Sequence, residues 1–325
     1  MAMIETINLS KEYGDLVALS NLNLTIEAGD CFGFIGPNGA GKTTTIKILA
    51  TLLKPTRGQA MIDGLTVGYQ NRQIRPIIGY VPDFMGAYED MVVSEYLEFF
   101  AASYGIHGGE RKKVVGDVLD LTDLNYKTNA EVNSLSRGMQ QRLSVARVLL
   151  HDPKVLLMDE PASGLDPRAR IEIRELLKEL KRMGKTIIIS SHILSELAEL
   201  CNVVGIIERG NLLFHGSVRE VMQKARLEHV VHITVQDRTE DAAKLLHQVA
   251  GVKKVELSED DGNSSFARGN GQRAVIHVTV DDAMLPSISD IPNRLINAGF
   301  RLTSFTEESV NLETAFMRLT QGLVQ

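Results

Sequence analysis

Short, nearly unbroken apolar runs alternate with amphipathic stretches over the first 220 or so residues. "CFGFIG", "VLLMDEP", "TIIISS" and "VVGIIERG" are predicted strands. Their continuous Val/Leu/Ile content suits strands covered on both faces. Between them, "PRARIEIRELLKELKRMG" has proline near its start and glycine just past its end, which predicts a helix. The alternation predicts an α/β sandwich around a mainly parallel sheet. Residues 88–150 are rich in helix formers and hold no convincing strand, so they read as an inserted helical subdomain. From about 226 the period changes to two, in "VVHITVQ", in "RAVIHVTV" and less cleanly in "FRLTSF".

Helical patterns at 239–249 and about 290–298 separate these later strands, and "SEDDGNSSFARGNGQ" is a long polar loop. The order β-α-β-loop-β-α-β resembles a small α+β ferredoxin-like domain, with a final helix in "NLETAFMRLTQG". Two domains are therefore expected, 1–222 and 226–325.

At 44% hydrophobic residues, 325 residues can bury a sizeable core. The net charge of −6 and a longest basic run of only "RKK" argue against a nucleic-acid partner. Two distant cysteines, Cys31 and Cys201, give no zinc spacing and fit a reducing compartment. The N-terminus lacks the apolar core of a signal peptide, and no run approaches the roughly 18 apolar residues of a membrane span. The chain is expected to be soluble, so any membrane spans must come from another chain. His229, His232 and His277 lack partners at ligand spacing and read as ordinary surface or core residues.

The chemistry concentrates in the first domain. Gly36, Gly41, Lys42 and Thr43 match G-x-x-x-x-G-K-[ST] between a strand and a helix. Glycines let backbone N–H groups wrap a phosphate, Lys42 reaches the β and γ phosphates, and the Thr43 hydroxyl binds Mg²⁺. The phosphate-binding stretch is Gly36, Pro37, Asn38, Gly39, Ala40 and Gly41, continuing into Lys42, Thr43 and Thr44. "VLLMDEP" ends a buried strand on two acids: Asp159 is a metal candidate and Glu160 a candidate to orient the attacking water. Taken alone, the pair also reads as a solvated acidic strand end. His192 follows another strand, where α/β sheets bind ligands, and reads either as a γ-phosphate contact or as a structural histidine. "LSRGM" at 135–139 reads as an ordinary helix cap or as a second phosphate-facing helix start.

Gly36–Thr43, "LSRGM", "VLLMDEP", "SGLD" and "SSH" occur in the order of the ATP-binding cassette (ABC) family, which the first 220 or so residues resemble. The resemblance implies a P-loop NTPase nucleotide-binding domain that hydrolyses ATP with Mg²⁺. It implies a second copy, or a paralogous ATPase subunit, meeting it head to tail. Ser136 and Gly138 would then cap ATP held by the opposing subunit, "SGLD" (Ser163–Asp166) would run along the seam, and Tyr13 would stack on adenine. The short single cassette with a C-terminal accessory or regulatory domain is similar to ATPase subunits of ABC-2-type exporters. That similarity implies membrane permease partners and a cytoplasmic position on the inner face of the membrane. Two other classes are a soluble ABC ATPase acting on nucleic acid or ribosomes, and a nucleotide-gated module without useful hydrolysis.

The chain departs from the family pattern in two places. Arg137 and Met139 stand where the signature has glycine and glutamine, and Asp83 stands where a glutamine contacts the metal. Asp83 can still accept from metal-bound water but cannot donate when ionised, which implies slow or partner-dependent hydrolysis. The aromatic-rich stretch from Phe84 to Phe100 divides between helical-subdomain core and a groove for the permease.

Overall fold

The computed structural model describes residues 2–83, 86, 91–191, 194–225, 229–259, 274–281 and 288–307. The chain divides into two compact units, Met1–Val218 and Arg219–Gln325.

The first unit opens with β1 (Ala2–Tyr13), β2 (Leu16–Glu27) and β3 (Cys31–Ile35), followed by helix α1 (Lys42–Leu49). Next come β4 (Arg57–Ile62), β5 (Leu65–Thr66), α2 (Asn71–Ile74) and β6 (Ile78–Val81). Three helices follow, α3 (Val93–Ser103), α4 (Gly108–Leu121) and α5 (Arg137–Leu149). The unit ends with β7 (Val155–Asp159), α6 (Pro167–Arg182), β8 (Thr186–Ser191), α7 (Leu194–Leu200), β9 (Val203–Glu208) and β10 (Asn211–Ser217). Helix α8 (Val218–Ala225) begins at the boundary.

A six-stranded sheet runs in the order β10-β9-β3-β8-β7-β6. Its strands pair in parallel from β9 to β6, and β10 returns antiparallel on β9. Every residue of β3, β7 and β8 is buried, which is why their sequences carry no polar alternation. A second sheet, β2-β1-β4-β5, is antiparallel. The expectation of a mainly parallel sheet describes only the first of these. The signal for the second is the period-two run "NLNLTIE", whose Leu22, Leu24 and Ile26 are buried between exposed polar neighbours.

Helix α1 touches both sheets. Its Ile46, Ile48 and Leu49 join one core with Leu22 and Ile26 from the antiparallel sheet and Phe32, Phe34, Leu157 and Ile188 from the parallel one. The rings of Phe32 and Phe34 meet edge to face at 4.9 Å. On the other face of β3, the buried thiols of Cys31 and Cys201 lie 3.6 Å apart. Between residues 91 and 150 the only described β pairing is a single bridge, Val92–Glu131.

The second unit comprises β11 (His229–Val235), α9 (Thr239–His247), β12 (Val252–Glu259), β13 (Ala274–Val280), α10 (Asp290–Asn297) and β14 (Leu302–Glu307). Its sheet runs β12-β13-β11-β14, antiparallel throughout. Strand β13 therefore sits between β11 and β12, the split β-α-β of a ferredoxin-like domain. Val231, Ile233, Ile276 and Val278 bury one face of this sheet against Ala242, Leu246, Ile291 and Leu295 of the two helices. On alternate positions, His232 and His277 face each other across β11 and β13, ring centroids 4.5 Å apart. The final helix expected in "NLETAFMRLTQG" and the loop beyond Glu259 lie outside the described residues. No helix among the described residues is long and apolar enough to cross a membrane.

Ile188 lies on the central strand and is fully buried in the α1 core. Ile188→Ala is expected to cost the first unit about 2–5 kcal/mol in a denaturant titration.

Candidate functional site

The segment between β3 and α1 cannot be built from ordinary residues. Gly39 and Gly41 take φ of +81° and +111°, in the left-handed region that side chains avoid. A Cβ on Gly36 would lie 2.2 Å from the Ile207 carbonyl, and one on Gly41 would lie 2.7 Å from that of Ala18. The loop is braced from outside, because Gly210 N–H donates to the Ala40 carbonyl at 2.9 Å. Pro37, Asn38 and Gly39 are exposed at its tip. Gly41 caps α1 without a side-chain bond, and the N–H groups of a first helical turn suit an anion.

Lys42 is turned inward, its side chain 5% exposed. Its Nζ donates to the carbonyls of Gly36 at 2.8 Å and Pro37 at 3.1 Å and lies 3.7 Å from Glu160 Oε1. Burial pushes its ammonium below the usual lysine value, and the carboxylates of Glu160 and Asp159 partly offset this. Exposed Thr43 donates from Oγ1 to Asp159 Oδ1 at 2.9 Å. Thr44, half-buried, follows on the same turn.

Strands β7 and β8 are paired so that Asp159 lies beside Ser190. Ser190 Oγ donates to Asp159 Oδ1 at 2.7 Å and accepts the Glu160 N–H at 2.9 Å. Glu160 itself takes φ +49°, a strained conformation for a residue with a side chain. The strain fixes where its carboxylate points, and nothing in the sequence announced it. Tyr80, on β6 beside β7, has its phenol pushed up to about 12 by burial, with Asp159 and then Asp83 adding to the shift.

Asp83 lies just past β6, more than half exposed, with Oδ1 3.9 Å from Arg137 Nη2. The two departures from the family pattern therefore meet. Ser136 caps α5, its Oγ accepting the Met139 N–H at 3.4 Å. In this geometry the hydroxyl acts as a helix cap, as one of the two readings of "LSRGM" requires. Gly138 has a packing reason to lack a side chain, since a Cβ there would lie 2.6 Å from that of Ala169 on α6. Gly164 takes φ +65°, and a Cβ on it would lie 2.5 Å from Arg137 Nη1. Tyr13 sits at the end of β1, 45% exposed, with Lys11 Nζ 4.9 Å from its ring centre. His192, and Phe84, Met85 and Tyr88 of the aromatic stretch, lie outside the described residues. Tyr96 is fully buried, whereas Phe99 is 45% exposed.

The folded chain thus gathers Lys42, Thr43, Asp159, Glu160 and Ser190 at one place, at the carboxyl ends of β3, β7 and β8. Ser190 was not among the residues singled out from the sequence. The run "IIISSH" contains it, but only strand pairing reveals which serine faces Asp159.

Residues 19–163 match the family model described as ABC transporter. The chain is 40% identical over 221 residues to the Nod factor export ATP-binding protein I of Cupriavidus metallidurans, covering 68% of this chain and 73% of that protein. It is 43% identical over 212 residues to the bacitracin transport ATP-binding protein BcrA of Bacillus licheniformis, covering 65% and 68%. The linearmycin resistance ATP-binding protein LnrL of Bacillus subtilis is 28% identical across 98% of both chains. Among solved structures, the ATP-binding subunit of an ABC transporter superposes with a TM-score of 0.62 at 28% identity, covering 68% of this chain and 92% of that one. A dimeric ATP-binding cassette in a post-hydrolysis state, bound to ADP and Pi, gives 0.61 at 29% identity, covering 67% and 99%.

Ser190→Ala removes the donor to Asp159 and one acceptor for the Glu160 N–H. The variant is expected to lose about 1–3 kcal/mol of stability in a denaturant titration, because a buried carboxylate oxygen loses a partner.

Proposed function

This chain belongs to the ABC transporter family, and on that premise we propose that two copies close head to tail around two ATP molecules and drive a separate membrane permease that exports its substrate. The chain is an ATP-binding and ATP-hydrolysing subunit of such a transporter. The single observation that carries the site reading is that two consecutive residues of the loop–helix junction meet the two consecutive acids, Thr43 bonding Asp159 and Lys42 pairing with Glu160.

In this reading the Gly36–Gly41 backbone N–H groups wrap the phosphates and Lys42 binds the β and γ groups. Tyr13 stacks on adenine. Thr43 Oγ1 and Asp159 Oδ1 are hard oxygen donors of the kind Mg²⁺ takes, so the residues present fit that ion, with Asp83 as a further candidate. When bound, the ion neutralises charge developing on the phosphate oxygens. Glu160 orients the attacking water and accepts its proton, its backbone pinned by Ser190. His192 holds the γ-phosphate. Ser136 and Gly138 of the second copy close over the nucleotide, with the exposed helix start adding its dipole.

Relatives named for Nod factor export, linearmycin resistance and bacitracin transport support an exporter. The partners are permease subunits, and the chain works on the cytoplasmic face of the membrane through them. The C-terminal domain contributes dimer contacts or regulates the cassette.

Glu160→Gln is expected to lower phosphate release by about 10²–10⁴-fold while nucleotide binding persists. Loss of binding together with turnover would remove the water-orienting role. A structure of that variant with ATP tests the head-to-tail arrangement: Ser136 must lie against a terminal phosphate of the opposing copy. Asp83→Gln is expected to raise basal phosphate release several-fold by replacing a carboxylate that cannot donate with an amide that can. Unchanged basal and permease-stimulated turnover would refute the effect assigned to Asp83.

A further inference from the structure

One buried charge in the first unit has no part in the chemistry just described. Arg142, on α5, is 5% exposed. Its Nη1 donates to the carbonyl of Thr122 at 3.0 Å, to the carbonyl of Asp123 at 2.9 Å and to Asp123 Oδ2 at 3.3 Å. Its Nη2 lies 3.4 Å from Glu172 Oε2 on α6. A charge this deep is tolerated only when paired and hydrogen-bonded. Thr122 and Asp123 close the C-terminal end of α4, where Asp123 turns the chain with φ +51°. Arg142 thus satisfies carbonyls that a helix end leaves open, and one guanidinium joins α4, α5 and α6.

The positions of the two partners matter more than the bond count. Arg142 lies six residues after Ser136, the cap of α5 (142 − 136), and Glu172 lies six after Asp166, the cap of α6 (172 − 166). At 1.5 Å per residue each is about 9 Å from its helix start. Nearer those starts, the two helices already touch at Gly138 and Ala169, where a Cβ would come within 2.6 Å. Two contacts at different heights fix both the spacing and the crossing angle of α5 and α6. They therefore fix the position of Ser136 relative to the Ser163–Asp166 segment that leads into α6.

We propose that Arg142 is a positioning residue that locks α5 to α6, so that Ser136 and the Ser163–Asp166 segment face the second copy as one rigid surface. Arg142 touches neither nucleotide nor metal in this role. The inference rests on the head-to-tail reading above.

The test uses the full chain in a Glu160→Gln background, where ATP holds the two copies together. Arg142→Lys keeps the charge but gives up the fork that serves the α4 carbonyls and Glu172 at once. Glu172→Gln removes the charge at the other end, at a partly exposed site where Arg168 Nε also donates to Glu172 Oε1 at 3.2 Å, and it carries the test by itself if the lysine variant does not fold. Three quantities are measured: affinity for a fluorescent ATP analogue, ATP-driven self-association by sedimentation, and Tm. Nucleotide affinity, measured at chain concentrations low enough that the parent stays monomeric and therefore reporting each chain's own phosphate loop, is expected to stay within about twofold. Self-association is expected to weaken at least about tenfold in each single variant, and the double variant is expected to be no worse than the weaker single. Self-association equal to that of the parent, or nucleotide affinity falling in the same proportion, overturns the role. A parent that does not associate with ATP at all overturns the head-to-tail reading itself, and this inference with it.

Discussion

One carboxylate oxygen organises the centre of this molecule. Asp159 Oδ1 accepts from Thr43 at the start of α1 and from Ser190 at the end of β8. It thereby ties the phosphate loop to two strands that are more than a hundred residues away in the chain. Because Ser190 Oγ also takes the Glu160 N–H, the same knot sets the direction of the next side chain. The strained backbone at Glu160 is affordable because both sides of it are held: β7 is buried before it, and the Ser163 N–H returns to its carbonyl at 3.0 Å. Rigidity at this point is what in-line phosphoryl transfer asks of a protein, since positioning supplies most of the catalysis.

The charges around the knot bear on what can be held there. Lys42 is buried among two carboxylates and two carbonyl oxygens, and burial is still the largest influence on it. A triphosphate brings further negative charge to a place that already sets two acids against one ammonium. A hard divalent cation among the oxygens would offset part of that sum, and the aligned N–H groups at the start of α1 add partial positive charge without a proton to lose.

The sequence revealed most where one physical demand acts on consecutive residues. Burial on both faces leaves an unbroken apolar run, so β3, β7, β8 and β9 were readable, and two acids ending such a run stood out at once. A loop that must wrap an anion needs glycines at fixed offsets, and Gly39 and Gly41 meet that need with positive φ. The antiparallel sheet was harder, because β1 and β2 are long and half exposed, with bulges interrupting their register. Ser190 and Arg142 were invisible for another reason. Their importance lies in partners 31 and 20 residues away, and only the folded chain brings those partners into reach. Gly138 shows the converse, since a signature glycine read as phosphate-facing also makes the contact between α5 and α6.

The two cysteines add a property of a different kind. Cys31 on β3 and Cys201 in the turn between α7 and β9 are shut away side by side along the seam between that strand and that turn, and the neighbouring sulfur together with burial holds the Cys201 thiol in its protonated, unreactive form. An alkylating reagent needs the thiolate and a path to it, and burial closes the path to both sulfurs. Labelling must therefore wait for the seam to breathe. Its rate becomes a clock, already written into the chain, for how often the strand that carries the phosphate loop comes loose.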